Sequence, residues 1–338
     1  MRKRIFDYLK AICIIFVVTT HLLWTDQQRL NFLFPYTVDM AIPVFMIISG
    51  YVNMLSANKH KEYSLKNMYA LQIIIPKLTR IVAPYIVVYA FLALVFIFNG
   101  SVSVSEAALA FFTGGWGPGS YYVPILIQFT LLSPLMLFVI KEFKYKGYAL
   151  LLSLNILLEA CFTYFKIPVD IYRLSFFRYI VFVCAGMYLY EAKDKINKTV
   201  LSIFFALGVG YIMAANYFGY TPKIFTNWVV TSFPTVLYIF PVVAVSVMVF
   251  TKPLPDKFGG KILATVGETT YHIYLVQMVW YVLYGNYFGP WIMLIPNVIL
   301  CCVGGIIFSK LDNIFFQKPI KRLLNRFENK IYKEKQNV

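Results

Sequence analysis

The chain has 338 residues, of which 60% are apolar and only 14% charged, and its mean hydropathy is +0.69. This excludes an ordinary soluble domain and predicts an all-α polytopic membrane protein. A net charge of +16 suits a nucleic-acid partner only if the cations share a surface; here 25 of the 31 Lys and Arg fall in alternate connections and the termini, so no nucleic acid is expected.

Apolar segments lie at about 5–24, 38–56, 81–98, 121–140, 147–165, 176–191, 200–218, 232–251, 266–285 and 290–309, which predicts about ten transmembrane helices. Cations gather before the first segment (Arg2, Lys3, Arg4), in the second connection (Lys59, Lys61, Lys66, Lys77, Arg80), then in every other connection through Lys141, Lys193 and Lys252 to the tail. By the positive-inside rule both termini are cytoplasmic, the first helix is its own insertion signal, and the protein is multi-pass in the cell membrane. Cys13, Cys161, Cys184, Cys301 and Cys302 all sit in apolar segments without ligand spacing, so they read as packing residues and no metal is expected.

In the first helix, IFDYLKAICIIFVVTTHLLW, the residues Asp7, Lys10 and His21 interrupt a run long enough to cross a bilayer, and ionisable groups at that depth are expensive. At roughly 100° per residue, the eleven-residue step from Lys10 to His21 returns to within about 20° of one direction while climbing about 16 Å. One stripe therefore carries Asp7 and Lys10 near the inner face and His21 in the outer half, with Ile14 and Val17 between them. The plainer reading has Asp7 and Lys10 snorkelling and His21 at the interface. The second helix, VDMAIPVFMIISGYV, returns inward and brings Asp39 to the outer end, either to orient the His21 imidazole or to cap its own helix.

The second connection contains YSLKNMYALQIIIPKLTRIVAPY, an amphipathic helix with Lys77 and Arg80 one turn apart, suited to gripping a phosphate or to anchoring at the inner face. The third connection, Asn99 to Tyr121, has no Lys or Arg and holds GGWGPGSYY, an outer loop or a re-entrant segment. Tyr122 opens the helix that follows, and Gln128 lies at depth within it, lining a cavity or bonding a neighbouring helix. Glu159 sits mid-segment in the fifth helix, a functional candidate whose partner sequence does not name. Arg173 and Arg178 break the charge rule on the outside, where they either bind an anionic group, such as the diphosphate of a lipid-linked sugar, or pair with Asp170. Gly186 in the sixth helix permits close packing, and the seventh and eighth helices carry only interfacial aromatics. In the ninth, VGETTYHIYLVQ, His272 lies near the cytoplasmic end as an interfacial residue. Residues 311–338 read as a basic amphipathic cytoplasmic tail on the anionic inner leaflet, which leaves 1–310 as the transmembrane domain where any activity must reside.

The run RIFDYLKAICIIFVVTTH resembles the opening signature of the integral-membrane acyltransferase family 3, in which an Asp is followed by a basic residue, ten further residues and an essential His; Lys10 stands where that family usually has Arg. Asp39, Pro43, Phe45, Ser49, Gly50 and Tyr51 continue the resemblance in the second helix. Lys77 and Arg80 match its basic pair, Tyr121 and Tyr122 its aromatic helix entry, and Gly186 its glycine-containing helix. Gly267, Thr270, Tyr271, Tyr274 and Leu275 match its late motif, with Gln277 where many members have His. The resemblance implies an O-acyltransferase, above all an O-acetyltransferase, that takes an acyl group from cytoplasmic acetyl-CoA or another acyl-CoA to a hydroxyl of a cell-envelope glycan or lipid-linked sugar. His21 would then be a general base or a transient acyl carrier, with Asp39 beside it. Lys10, fixed by Asp7, would hold the coenzyme together with Lys77 and Arg80. Tyr122, Gln128, Glu159, Arg173, Arg178 and Tyr271 are the candidate substrate-binding residues. Two rivals stand beside this reading: a transporter or flippase of lipid-linked glycan, since a polar path between helices also serves translocation, and a non-catalytic subunit of a polysaccharide synthase.

Overall fold

The computed structural model describes residues 4–60, 64–192, 195–220, 225, 232–250, 258–284 and 288–324; Arg2, Lys3, Lys61, Lys193, Lys223, Lys252 and the predicted tail beyond 324 lie outside them. Among the described residues 85% are helical and none is in a strand, as the apolar composition predicts.

The first helix, α1, spans Arg4–Thr20. It stops before the expected Trp24 because the Trp24 indole N–H donates to the Thr19 carbonyl at 2.8 Å and the Leu22 N–H turns back on the same oxygen. His21 thus stands in the turn after the helix. A capping box of Thr25 and Gln28 starts α2 (Asp26–Asn31), and two single 3-10 turns lead into α3 (Ala41–His60). After the short α4 (Leu65–Met68), α5 (Leu71–Phe98) begins well before the predicted segment and takes Lys77 and Arg80 into its own length. Then come α6 (Val104–Phe112), α7 (Tyr122–Phe143), α8 (Tyr145–Tyr164), α9 (Val169–Leu174), α10 (Ile180–Ala192), α11 (Lys198–Tyr217) and α12 (Val236–Val249). The predicted ninth segment is two helices, α13 (Phe258–Glu268) and α14 (Thr270–Leu283). They part at Thr269, whose hydroxyl donates back to the Thr265 carbonyl, a local bond that competes with helix propagation. The last helix, α15 (Pro290–Asp312), continues through a π turn at Asn313–Gln317 into helix as far as Leu324, so no break falls at the predicted boundary at 310.

Each of the predicted segments carries helix, but among the described residues six helical stretches are long and apolar enough to cross a membrane: Phe34–Asn58, Leu65–Phe98, Tyr122–Phe143, Tyr145–Tyr164, Lys198–Tyr217 and Pro290–Leu324. The expected count of about ten is not reproduced by this measure, because α1, α10, α12 and α14 run only roughly 20–26 Å at 1.5 Å per residue.

Glycines decide how the centre packs. Where α3 crosses α10, a Cβ on Gly50 would lie 2.2 Å from the Val183 carbonyl oxygen, and one on Gly186 would lie 1.9 Å from that of Ile47. The two helices therefore meet backbone to backbone, the close packing Gly186 was expected to permit. With Ala11, Val18, Met46, Ile47 and Phe182 all buried around this contact, α1 is held by one face and its polar stripe is left facing α3, α7 and α14.

Candidate active site

Two cavities follow the face of α1 that carries Lys10 and His21. The larger, of about 500 Å³, is walled by Thr20 and His21, by Arg29 and Asp39, by the stretch from Pro118 to Tyr122, by Arg173, Arg178 and Tyr179, and by Tyr274. The smaller, of about 190 Å³, is lined by Lys10, Ile14, Phe45, Ser49, Thr270 and Tyr271. Val17, Ile42, Tyr122 and Tyr274 line both, so they form the wall between the two. The predicted stripe is thus one continuous lining: Lys10 and Ile14 below, Val17 at the divide, His21 above.

His21 is half-buried, and among the described residues its ring makes no hydrogen bond. A Cβ built on Gly119 would lie 3.7 Å from its Nε2, so the absence of a side chain there keeps that nitrogen open to the cavity. Gly119 also has φ +80°, a backbone conformation that favours glycine. The glycine-rich loop is seated on α14: the Tyr274 hydroxyl donates to the Gly119 carbonyl at 2.8 Å, and Gln277 Nε2 to that of Pro118 at 3.3 Å. Behind the imidazole, the Tyr281 ring meets it edge-on at 6.1 Å, while its hydroxyl donates to the Val18 carbonyl and accepts from Asn297. Gln277 thus supports the loop and lies outside both cavities.

Asp39 lines the larger cavity but does not hold the His21 ring, the orienting role considered for it. Its carboxylate accepts from Arg29 at 2.5 Å and from the Thr20 hydroxyl at 3.5 Å, while Arg29 also donates to Thr20 Oγ1. Burial explains the choice: in a half-dry pocket a carboxylate gains more from a fixed guanidinium than from a neutral ring. The triad of Arg29, Asp39 and Thr20 ties α2 and the entry to α3 to the end of α1, next to His21.

The other predicted residues divide. Tyr122, Arg173 and Arg178 line the larger cavity, and Lys10 and Tyr271 the smaller, with the Tyr271 hydroxyl fixed on the Ile81 carbonyl at 2.8 Å. The alternative pairing of the two arginines with Asp170 is not seen among the described residues, and Asp170 is exposed. Gln128 lines neither cavity. Its Nε2 donates to the Leu174 carbonyl at 2.7 Å and its Oε1 accepts from the Phe176 N–H at 3.0 Å, so it clasps the bend that carries both arginines. Asn155 grips the same bend at the Phe177 carbonyl. Glu159 also stands outside the cavities, where its carboxylate accepts the Tyr172 hydroxyl at 2.9 Å. Asp7 is buried at 2% exposure with its backbone pressed against Gly267, where a Cβ would fall 1.8 Å from its carbonyl oxygen, and lines neither cavity. Lys77 faces a separate cleft of about 60 Å³ with Asn53, while Arg80 is exposed, so the expected basic pair does not converge on the Lys10 cavity. At i and i+3 the two diverge by about 60°, enough to send one inward and one out. His272 lines neither cavity; its Nε2 pairs with Asp312 at 3.0 Å, and Gln317 donates to the same carboxylate.

Sequence reasoning missed Arg29, Thr20 and Tyr179. Arg29 carried the same signal as Arg173 and Arg178, a cation in a connection otherwise poor in them. Among the described residues no three His, Cys, Asp or Glu side chains come together as metal ligands. A family model described as an acyltransferase domain matches residues 4–311. No curated protein and no solved structure matches the chain.

Proposed function

The chain belongs to the acyltransferase-domain family, and from that premise we propose a membrane O-acyltransferase that moves an acyl group, acetyl in the first instance, from acyl-CoA to a hydroxyl of a cell-surface or lipid-linked glycan. One observation carries the reading: an imidazole with an open nitrogen in the larger cavity and a cation in the smaller stand on one helix face, separated only by Val17, Ile42, Tyr122 and Tyr274. By the positive-inside pattern the Lys10 end faces the cytoplasm and receives the coenzyme, and the His21 end faces outward and receives the glycan.

His21 Nε2 takes the proton of the acceptor hydroxyl as its oxygen attacks the thioester carbonyl. The carbon–sulfur bond then breaks, and the departing coenzyme thiolate takes up that proton. The passing oxyanion needs a donor where the cavities meet. Tyr274 has committed its hydroxyl to Gly119, whereas the Tyr122 hydroxyl makes no hydrogen bond among the described residues and fills that place. Asp39 acts at one remove, by holding Arg29 against Thr20 at the end of α1.

The test is His21→Ala at unchanged expression, with both the ester content and the surface amount of the glycan measured. An acyltransferase loses ester while glycan is still exported. Lost export with no ester in the parent strain would favour a flippase, and no change in either would favour a scaffold.

A further inference from the structure

By the sequence pattern, the odd-numbered connections hold few cations: Arg29, Lys166, Arg173, Arg178 and Lys223. Three of these line the one cavity that also holds His21. Arg29 is answered by Asp39 at 2.5 Å. Arg178 is built into the wall at 6% exposure, its guanidinium 5.1 Å from the Tyr172 ring and 4.9 Å from that of Tyr179, with Glu159 behind Tyr172. Two amides, the half-buried Gln128 and the buried Asn155, fix the bend between Leu174 and Phe177, so the guanidinium is aimed before any ligand arrives. Arg173, five residues earlier at the end of α9, reaches the same cavity and makes no ion pair among the described residues. Two carboxylates, Asp39 and Glu159, accompany three guanidinium groups, and the cavity keeps a positive charge over.

Arg29 is matched by Asp39, whereas the exposed Arg173 has no ion pair among the described residues to compete with a ligand, and a cavity of this volume has room for an anionic one. We propose, resting on the acyltransferase reading, that the acceptor is acidic: a phosphate or carboxylate on the glycan sits against Arg173 and Arg178 while its hydroxyl is presented to His21. A planar guanidinium pair matches either oxyanion. A phosphate would come from the carrier linkage of a lipid-linked sugar, a carboxylate from an acidic unit of the polymer itself.

The experiment uses the full-length protein in nanodiscs with acetyl-CoA and three acceptors built on one sugar: methyl glucoside, glucose 1-phosphate and glucuronic acid. Wild type should use one acidic form with kcat/KM roughly ten- to hundred-fold above the neutral one, the span expected for hydrogen bonds to a charged group. Arg173→Gln, at an exposed position that tolerates the change, should bring that ratio close to one, and Arg173→Lys should restore part of it. Preference for glucose 1-phosphate assigns the anion to the carrier linkage; preference for glucuronic acid assigns it to the polymer. Equal use of neutral and acidic sugars, with the ratio unmoved in Arg173→Gln, overturns the anion site while transfer itself upholds the acyltransferase. No transfer to any acceptor, with acetyl-CoA left intact, sinks both.

Discussion

The two cavities along α1 share a wall but little else. The larger is bounded by side chains from five connections and helix ends, and carries three arginines, a carboxylate and an imidazole. The smaller is bounded by helix interiors, and Lys10 is the one charged residue among its lining. A wide, charged, loop-built chamber suits a polar head that varies between substrates, whereas a narrow apolar slot with one cation suits a thin invariant arm. Under the proposed acyltransferase reading, the contrast would put acceptor and donor at different ends and the chemistry at their common wall.

The most severe break of that arrangement is at His21. His21→Ala should lower transfer by roughly 10²- to 10⁴-fold, the usual worth of a positioned base, while acyl-CoA binding measured by titration calorimetry stays within reach of wild type. Loss of donor binding along with transfer would mean that the two ends are not separate sites. Next in size is Tyr122→Phe, which removes only the hydroxyl at the wall. It should cost roughly 10²-fold in kcat, the scale of one oxyanion donor, with little change in either KM. A rise in acceptor KM with kcat intact would move Tyr122 from the reacting carbonyl to simple binding.

How much of this was legible before any coordinates follows from what kind of contact decides each position. The stripe of Lys10, Ile14, Val17 and His21 was legible because helical period alone sets it. Arg173 and Arg178 were legible because they offend a charge rule, and Arg29 offends it equally. The depth of Gln128 and Glu159 was visible too, but not their targets. Whether a half-buried amide lines a cavity or clasps a chain depends on which backbone arrives, and Leu174 and Phe176 arrive from more than forty residues away. The end of α1 escaped for the same reason in miniature: an indole four residues on takes a carbonyl that period and propensity award to the helix. Asp39 was expected near His21 and lines the same cavity, but its hydrogen-bond partner was not legible, since Arg29 belongs to a helix of six residues that hydropathy does not reveal.

A smaller effect sharpens the donor side. Lys10→Gln removes the cation of the smaller cavity and should raise the KM for acyl-CoA by about ten-fold, the low end for a charge-assisted hydrogen bond, with acceptor KM unmoved. Lys10→Arg supplies a bidentate fork in its place and should match or exceed wild type in donor affinity. If both variants instead weaken acceptor binding, the smaller cavity is not the donor's.

The smallest effect probes the other end without touching its lining. Gln128 stands behind the larger cavity and reaches it only through the bend it clasps, so its removal should be felt as looseness of Arg173 and Arg178 and not as a lost contact. Gln128→Leu keeps the bulk and strands one carbonyl and one N–H, at a cost of about 1–3 kcal/mol each if both stay dry. The bend will relax to find water at the cavity mouth and recover part of that, which leaves a lowered melting temperature and a few-fold rise in acceptor KM. Gln128→Glu discriminates between packing and hydrogen bonding, because it still accepts from the Phe176 N–H but sets an acceptor against the Leu174 carbonyl, and should fall between leucine and wild type. Donor KM is the control in both: a shift there would show that loosening one chamber reshapes the other, and the separation of the two ends would have to be given up.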